Sequence, residues 1–257
     1  MRSYLTTGLI AIVGLVFAAV PAAAAPVDFT TMQLNGIATA TSNDLNLGNG
    51  VGGTSSSAFL APISSSSSFT SSFNFTLTAN PNNPDAVSPQ ADGITFLIQA
   101  DPGGATALGG GGGGVGASGL SNNIGISFRS WDNNHSIIFT NGNVIDTSVH
   151  AFGNFNLGDQ DDVVFVTLSY AGNVLSYSAT NTSTGATVSD SLAFNLASLG
   201  PSVYLGFTGG TGLGYAFQDV HDWELNVVNG VPEPATWALM IMGFGLVGAT
   251  MRRRLYA

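Results

Sequence analysis

Lysine and cysteine are both absent from the 257 residues, and four of the five basic side chains lie at the two ends. Without cysteine there is no disulfide scaffold, no thiol nucleophile and no thiolate metal site. Between residues 26 and 230, Arg129 stands as the single arginine against 14 acids, a net charge of −13 with histidine neutral. A field of that sign repels nucleic acid and anionic lipid, so neither is an expected partner of this portion. Glutamate is scarce too: outside Glu233 there is only Glu224. Glycan hydrolysis needs two carboxylates flanking one bond. No Glu-x-Asp-x-x-Glu pattern or close aspartate pair within a strand supplies them, and no Gly-x-Ser-x-Gly elbow marks a serine nucleophile. The glycine run Gly109 to Gly114 has no following lysine or helix, so it is not a phosphate loop. An enzyme is therefore not expected.

The two ends carry what the middle lacks. Arg2 precedes a nearly apolar run from Leu5 to Val20, and Ala23-Ala24-Ala25 offers small residues for cleavage before Pro26. Residues 1–25 read as a secretory signal peptide. At the other end, Pro232-Glu233-Pro234 is followed by 17 uncharged residues and then by Arg252, Arg253 and Arg254. A helix over 235–251 is just long enough to span a bilayer, and arginines placed directly after it suit a stop-transfer segment. This order of parts resembles a PEP-CTERM sorting tail, here residues 231–257. The resemblance implies processing by an exosortase-type membrane enzyme in a Gram-negative envelope. It further implies membrane anchorage before processing and delivery to the cell surface or an exopolysaccharide matrix.

Residues 26–230 read as one all-β domain. Phe73, Phe75, Leu77 and Ala79 alternate with Asn74, Thr76 and Thr78, the pattern of a strand with one wet face. GITFLIQA, from Gly93 to Ala100, is apolar at nearly every position, as a strand covered on both sides would be. Asn141-Gly142 predicts a type I′ hairpin after Ile137-Ile138-Phe139, and Ala171-Gly172-Asn173 predicts a second hairpin. Strands are also expected over 203–207 and 222–228. Ser64 to Ser68 reads as a flexible loop. Many short strands separated by turn signals predict a sandwich of two antiparallel sheets.

LNGIATATSNDLNL, SAFLAPI, FTSSFNFTLT, ADGITFLIQA, the glycine run, NIGISFRSWDN, VTLSYAGNVLSYSA, VYLGFTGGTG and QDVHDWELN follow one another in an order that resembles the legume-type (L-type) lectin domain, a concanavalin-like jelly roll. The likeness runs from about Phe29 to Val228 and implies a carbohydrate site built from four loops. By that likeness Asp92 would accept hydrogen bonds from two sugar hydroxyls, Gly113 or Gly114 would donate a backbone N–H, and Asn133 would donate from its amide. Trp131 would offer an apolar face to the ring, and Leu213 and Gly214 would fill the loop that tunes which sugar fits. Adjacent hydroxyls beside an apolar ring face suit a carboxylate, an amide and an aromatic plane together.

In that family a calcium and a transition-metal ion hold the site. At the positions where carboxylate ligands belong, this chain has Ser127 and Arg129, and Ile137 stands where a further acid is expected. Calcium wants six to eight oxygens, commonly with carboxylates among them, so no metal cofactor is expected there. Two readings of Arg129 follow. It replaces the metal as the counter-charge of Asp92, or it lies on a wet sheet face with its stem on Trp131. Asp159, Asp161 and Asp162 could bind calcium or be a solvated loop, and His135, His150 and His221 lack ligand-like spacing. The expected function is carbohydrate binding by an exported surface protein. The alternative is a structural matrix protein on the same fold. Ice binding would need longer threonine arrays than Thr39-Ala40-Thr41.

Overall fold

The computed structural model describes residues 24–83, 90–131, 135–144, 162–229 and 241–244. In chain order its strands are β1 (Ala25–Pro26), β2 (Gln33–Gly36), β3 (Thr39–Ala40), β4 (Asp44–Asn49) and β5 (Ser55–Phe59). Next come β6 (Ile63–Ser64), β7 (Ser68–Ala79), β8 (Gly93–Gln99), β9 (Asn123–Arg129) and β10 (His135–Thr140). The series ends with β11 (Val164–Ala171), β12 (Val174–Asn181), β13 (Thr187–Ala193), β14 (Ser202–Gly210) and β15 (Ala216–Val228). One sheet runs β13-β12-β11-β7-β15-β4-β3, with β1 on β15; the other runs β10-β9-β8-β14-β5-β2, with β6 on β14. The pairings are antiparallel, as the short turns between apolar runs require.

Alternation decides which faces meet. Phe69, Phe73, Phe75 and Leu77 of β7 point inward, opposite Ile94, Phe96 and Ile98 of β8 and Ile124, Ile126 and Phe128 of β9. Phe207 is the hub. Its ring lies 4.9 Å from Phe73, 4.9 Å from Trp223 and 5.5 Å from Phe96, each edge-on, the geometry that ring quadrupoles favour. Trp223 keeps its polar atom satisfied by donating Nε1–H to Ser71 Oγ at 2.7 Å. Both sheets and this core lie within residues 24–229, which form the folding unit.

A second apolar cluster covers the other face of β8 and β9. Leu97, Ile137 and Phe139 pack there under Ala107, Val115, Ala117 and Leu120 of the segment between β8 and β9, with Val144. This is why β8 is buried at every position, as its sequence predicts.

One local expectation needs correction. The serine run is ordered: Ser65 and Ser67 are buried, and Ser65 N–H donates to Pro201 O at 3.1 Å. Serine is small enough to pack against β14 while its backbone is paired, so composition alone misled. Asn141 and Gly142 take positive φ, 54° and 68°, and Asn143 N–H donates to Thr140 O at 3.1 Å, the tight turn the sequence predicts; the strand expected to return from it would run into residues 145–161, outside the described residues. Gly142 N–H also donates to Asn123 Oδ1 at 2.9 Å, docking the turn on β9. The β11–β12 hairpin forms as expected, with Gly172 and Asn173 at φ 58° and 60°.

Residues 241–244 are α-helical and fall within the expected 235–251 helix. No helix among the described residues is long and apolar enough to cross a membrane. The signal peptide up to residue 23, Pro232-Glu233-Pro234 and Arg252 to Arg254 lie outside the described residues.

Candidate functional site

Three chain segments meet at one end of the seven-stranded sheet, where β8 begins and where β9 and β14 end. Asp92 N–H donates to Gly210 O at 3.2 Å, and Ser130 N–H donates to Asp92 O at 3.1 Å, so the aspartate backbone is tied to both neighbouring strands. The Ala91–Asp92 peptide bond is cis. Gly93 follows with φ 141°, and a Cβ there would sit 2.1 Å from Phe128 O. Only glycine lets β8 start so close to β9. The Asp-Gly pair is a strand start that aims the Asp92 side chain.

That side chain is 5% exposed and reaches the glycine loops. A Cβ on Gly212 would lie 3.2 Å from Asp92 Oδ2, and one on Gly112 would lie 3.9 Å away. Gly112 N–H donates to Thr211 O at 3.0 Å, closing the glycine run (a 3₁₀ turn over Gly112–Gly114) onto the loop after β14. Gly114 commits its N–H to Gly111 O at 3.0 Å, whereas Gly113 N–H has no backbone acceptor among the described residues. A Cβ on Gly113 would lie 3.2 Å from Arg129 Nη2 and 3.7 Å from Trp131 Cζ3. Trp131 is 43% exposed and Leu213 88% exposed, so two apolar side chains stand at the rim of a floor holding a carboxylate. Gly214 is buried and accepts Gly212 N–H at 3.1 Å, shaping the loop that carries Leu213. Asn133 lies outside the described residues, as do Asp159 and Asp161.

The reading of Arg129 as a wet-face arginine is overturned. It is 1% exposed, because the segment between β8 and β9 roofs this face of the sheet. Its Nη1 donates to Val144 O, and its Cζ lies 5.9 Å from the Trp131 ring centroid, within cation–π reach.

A metal pair does not fit here. Ser127 Oγ faces Ile94 O at 3.5 Å, its register partner Ile137 sits in the apolar cluster with Val144, and the guanidinium of Arg129 follows two positions along β9. Hydroxyl, hydrocarbon and cation are the wrong donors for calcium. Among the described residues no three acidic or histidine side chains group as metal ligands. Asp162 instead accepts Asn181 Nδ2–H at 2.9 Å.

One supporting residue was not singled out from the sequence, though Asp101-Pro102-Gly103 is a turn signal. Asp101 accepts Gly103 N–H at 2.8 Å and Ser121 N–H at 2.8 Å, latching both ends of the glycine-bearing segment. Partial burial pushes its carboxyl up, but the hydrogen bonds from Ser121 and Gly103 outweigh this and hold it below the ordinary aspartate value. A depressed folded-state pKa contributes stability above the unfolded value near 3.8 that is lost as pH falls through the folded one. Hydrogen exchange of residues 102–120 should therefore lose protection below about pH 4. Asp101→Asn should remove that pH dependence, and an unchanged profile in the variant would refute the latch.

The fold is a two-sheet β-sandwich that resembles the legume lectins. Basic winged bean lectin, solved with Tn-antigen, superposes with a TM-score of 0.65 at 22% identity, covering 80% of this chain and 98% of that one. Lectin II from Ulex europaeus gives 0.66 at 18% identity over 82% and 100%. Peanut lectin gives 0.65 at 21% over 81% and 99%. No curated protein matches the sequence. Residues 230–254 match the PEP-CTERM protein-sorting motif, so the chain joins a legume-lectin-like domain to that motif.

Proposed function

We propose that this is an exported, exosortase-sorted surface protein whose lectin-like domain binds carbohydrate and carries out no catalysis. The observation that supports it best is the convergence of Asp92 with the Gly112 and Gly212 backbones, where a Cβ on Gly212 would lie only 3.2 Å from the carboxylate. Asp92 accepts from two adjacent hydroxyls, Gly113 N–H donates to the ring's next oxygen, and Asn133 donates from its amide. Trp131 and Leu213 cover the apolar ring face. Of the two glycines weighed from the sequence, Gly113 is the better donor because its amide is not engaged in the 3₁₀ turn.

The end of β15, from which the chain runs on to the sorting motif, supports display. β15 starts at Ala216, beside the site loop, and runs for 13 residues to Val228 at the opposite end. That is a span of about 40 Å. A tail leaving from Val228 would hold the membrane, before processing, at the pole away from the site, so the precursor and the released protein would present it alike.

A glycan array probed with residues 26–230, including polymers from exopolysaccharide, tests the reading. Binding is expected, and Trp131→Ala should weaken it about tenfold, the scale of one lost ring-face contact. Its stability should change by under about 1 kcal/mol, since Trp131 is 43% exposed at the rim and lies outside the core. Silence on every glycan would favour the structural matrix role on the same fold.

A further inference from the structure

We propose that the outer face of the eight-stranded sheet is a second carbohydrate surface, which takes an uncharged polysaccharide chain rather than a single sugar. In β7, β11, β12 and β13 the core residues alternate inward and leave the opposite face to small hydroxyl side chains. Strand register sets these in parallel rows. One row runs Ser191, Ser176, Ser169 and Thr70; the next runs Ser189, Ser178, Thr167 and Ser72. Neighbours within a row stand about 4.8 Å apart and the rows about 7 Å apart, the strand spacing and the two-residue repeat. Thr180 and Thr187, one row further on, satisfy each other at 2.8 Å. The hydroxyls of the two rows bond to no protein group among the described residues, so their donors and acceptors face outward. A cavity of about 500 Å³ lies over the middle of this grid, lined by Thr70, Ser72, Thr167, Ser169, Ser176 and Ser178. Ala24 also lines it and belongs to the expected signal peptide, so removal of residues 1–25 would open the face further.

Charge selects the occupant. Asp190 is the only ionisable acid in these four strands, and it shares the inward face with Val188. The acids begin on β15, where Glu224 continues one row beyond Ser72. A grid without charge, set in a domain of net charge −13, offers an anionic polymer no counter-charge and a repulsive surround. A protein partner would need apolar side chains to bury, and the two rows have none. An uncharged polysaccharide presents hydroxyls at regular intervals, each able to donate and accept as serine and threonine do. Phe165, 40% exposed and two positions from Thr167 on β11, gives one ring an apolar plane. Single contacts of this kind are weak in water, so repetition along a chain has to supply the affinity. The rim site belongs to the other sheet, so one domain could hold two chains at once and cross-link them.

This surface does not depend on the carbohydrate reading of the rim, and the test keeps the two apart. Residues 26–230 are run through native gels containing a neutral galactomannan, a neutral β-glucan or, as the anionic control, alginate. At least one neutral polymer should retard the domain, and alginate should not. Thr167→Glu, at an exposed position in the middle of the grid, should weaken that retardation at least tenfold. Its Tm and its binding of short oligosaccharides should stay as in the parent. Ser176→Glu should repeat the loss and serves if Thr167→Glu folds poorly. Asp92→Ala should leave polymer retardation within threefold while short oligosaccharides are lost. Retardation unchanged in both glutamate variants, or by no neutral polymer at all, would overturn the proposal. So would retardation abolished by Asp92→Ala alone, which would give the polymer to the rim. A solution mass halved by Thr167→Glu would assign the face to a second copy instead. Polymer retardation without any binding of short sugars would defeat the rim reading and leave this surface standing.

Discussion

Asp92→Ala is expected to reduce glycan affinity at least 100-fold, the largest binding effect of any single substitution in this domain. Hydrogen bonds to a charged acceptor are worth about 1.5–3 kcal/mol each. Two of them lost from one sugar amount to at least about 3 kcal/mol, and every 1.4 kcal/mol is roughly tenfold. Alanine also leaves the backbone acceptor for Ser130 in place, so the junction of β8 with β9 persists. The variant should melt lower, because Asp92 is buried and the contacts of its side chain within the fold are lost with it. Affinity is therefore read by calorimetry well below that melting point, with circular dichroism to verify the sheets. Affinity within threefold of the parent would remove Asp92 from the binding machinery.

Phe207→Ala should have the largest effect on stability, a loss of about 3–5 kcal/mol. The ring is fully buried and touches Phe73 and Trp223 of one sheet, Phe96 of the other, and Phe29 of the 3₁₀ turn before β2. No neighbour can collapse into the space without leaving its own partners, so the cavity term adds to the lost transfer free energy. For a domain of this size that corresponds to a Tm lower by roughly 10 °C. Phe165→Ser is the control. Phe165 is 40% exposed on the outer face of β11, and its replacement should change stability by under about 1 kcal/mol. A Phe207 variant as mild as that control would mean the sheets are not held by this cluster.

Much of the fold could be read directly from residue patterns. Alternation in β7 and the unbroken apolar run of β8 depend only on side-chain period, and both strands form where expected. Gly172-Asn173 turns as it does because positive φ is a local property. Asn141-Gly142 turns for the same reason. The serine run shows the limit of that logic, since its burial is decided by β14 more than a hundred residues away.

The candidate site divides in the same way. The residue types that suit a sugar, the lack of metal-ligating acids and the scarcity of positive charge are properties of composition and order. They needed no coordinates. The burial of Arg129, the choice of Gly113 over Gly114 and the contact of Gly212 with Asp92 came only from tertiary structure. Each depends on segments 15 to 120 positions apart being folded onto one sheet end. A chain's local pattern dictates which way a side chain points from its own strand. Solvent exposure and charge partners are set by whatever the rest of the chain lays over it.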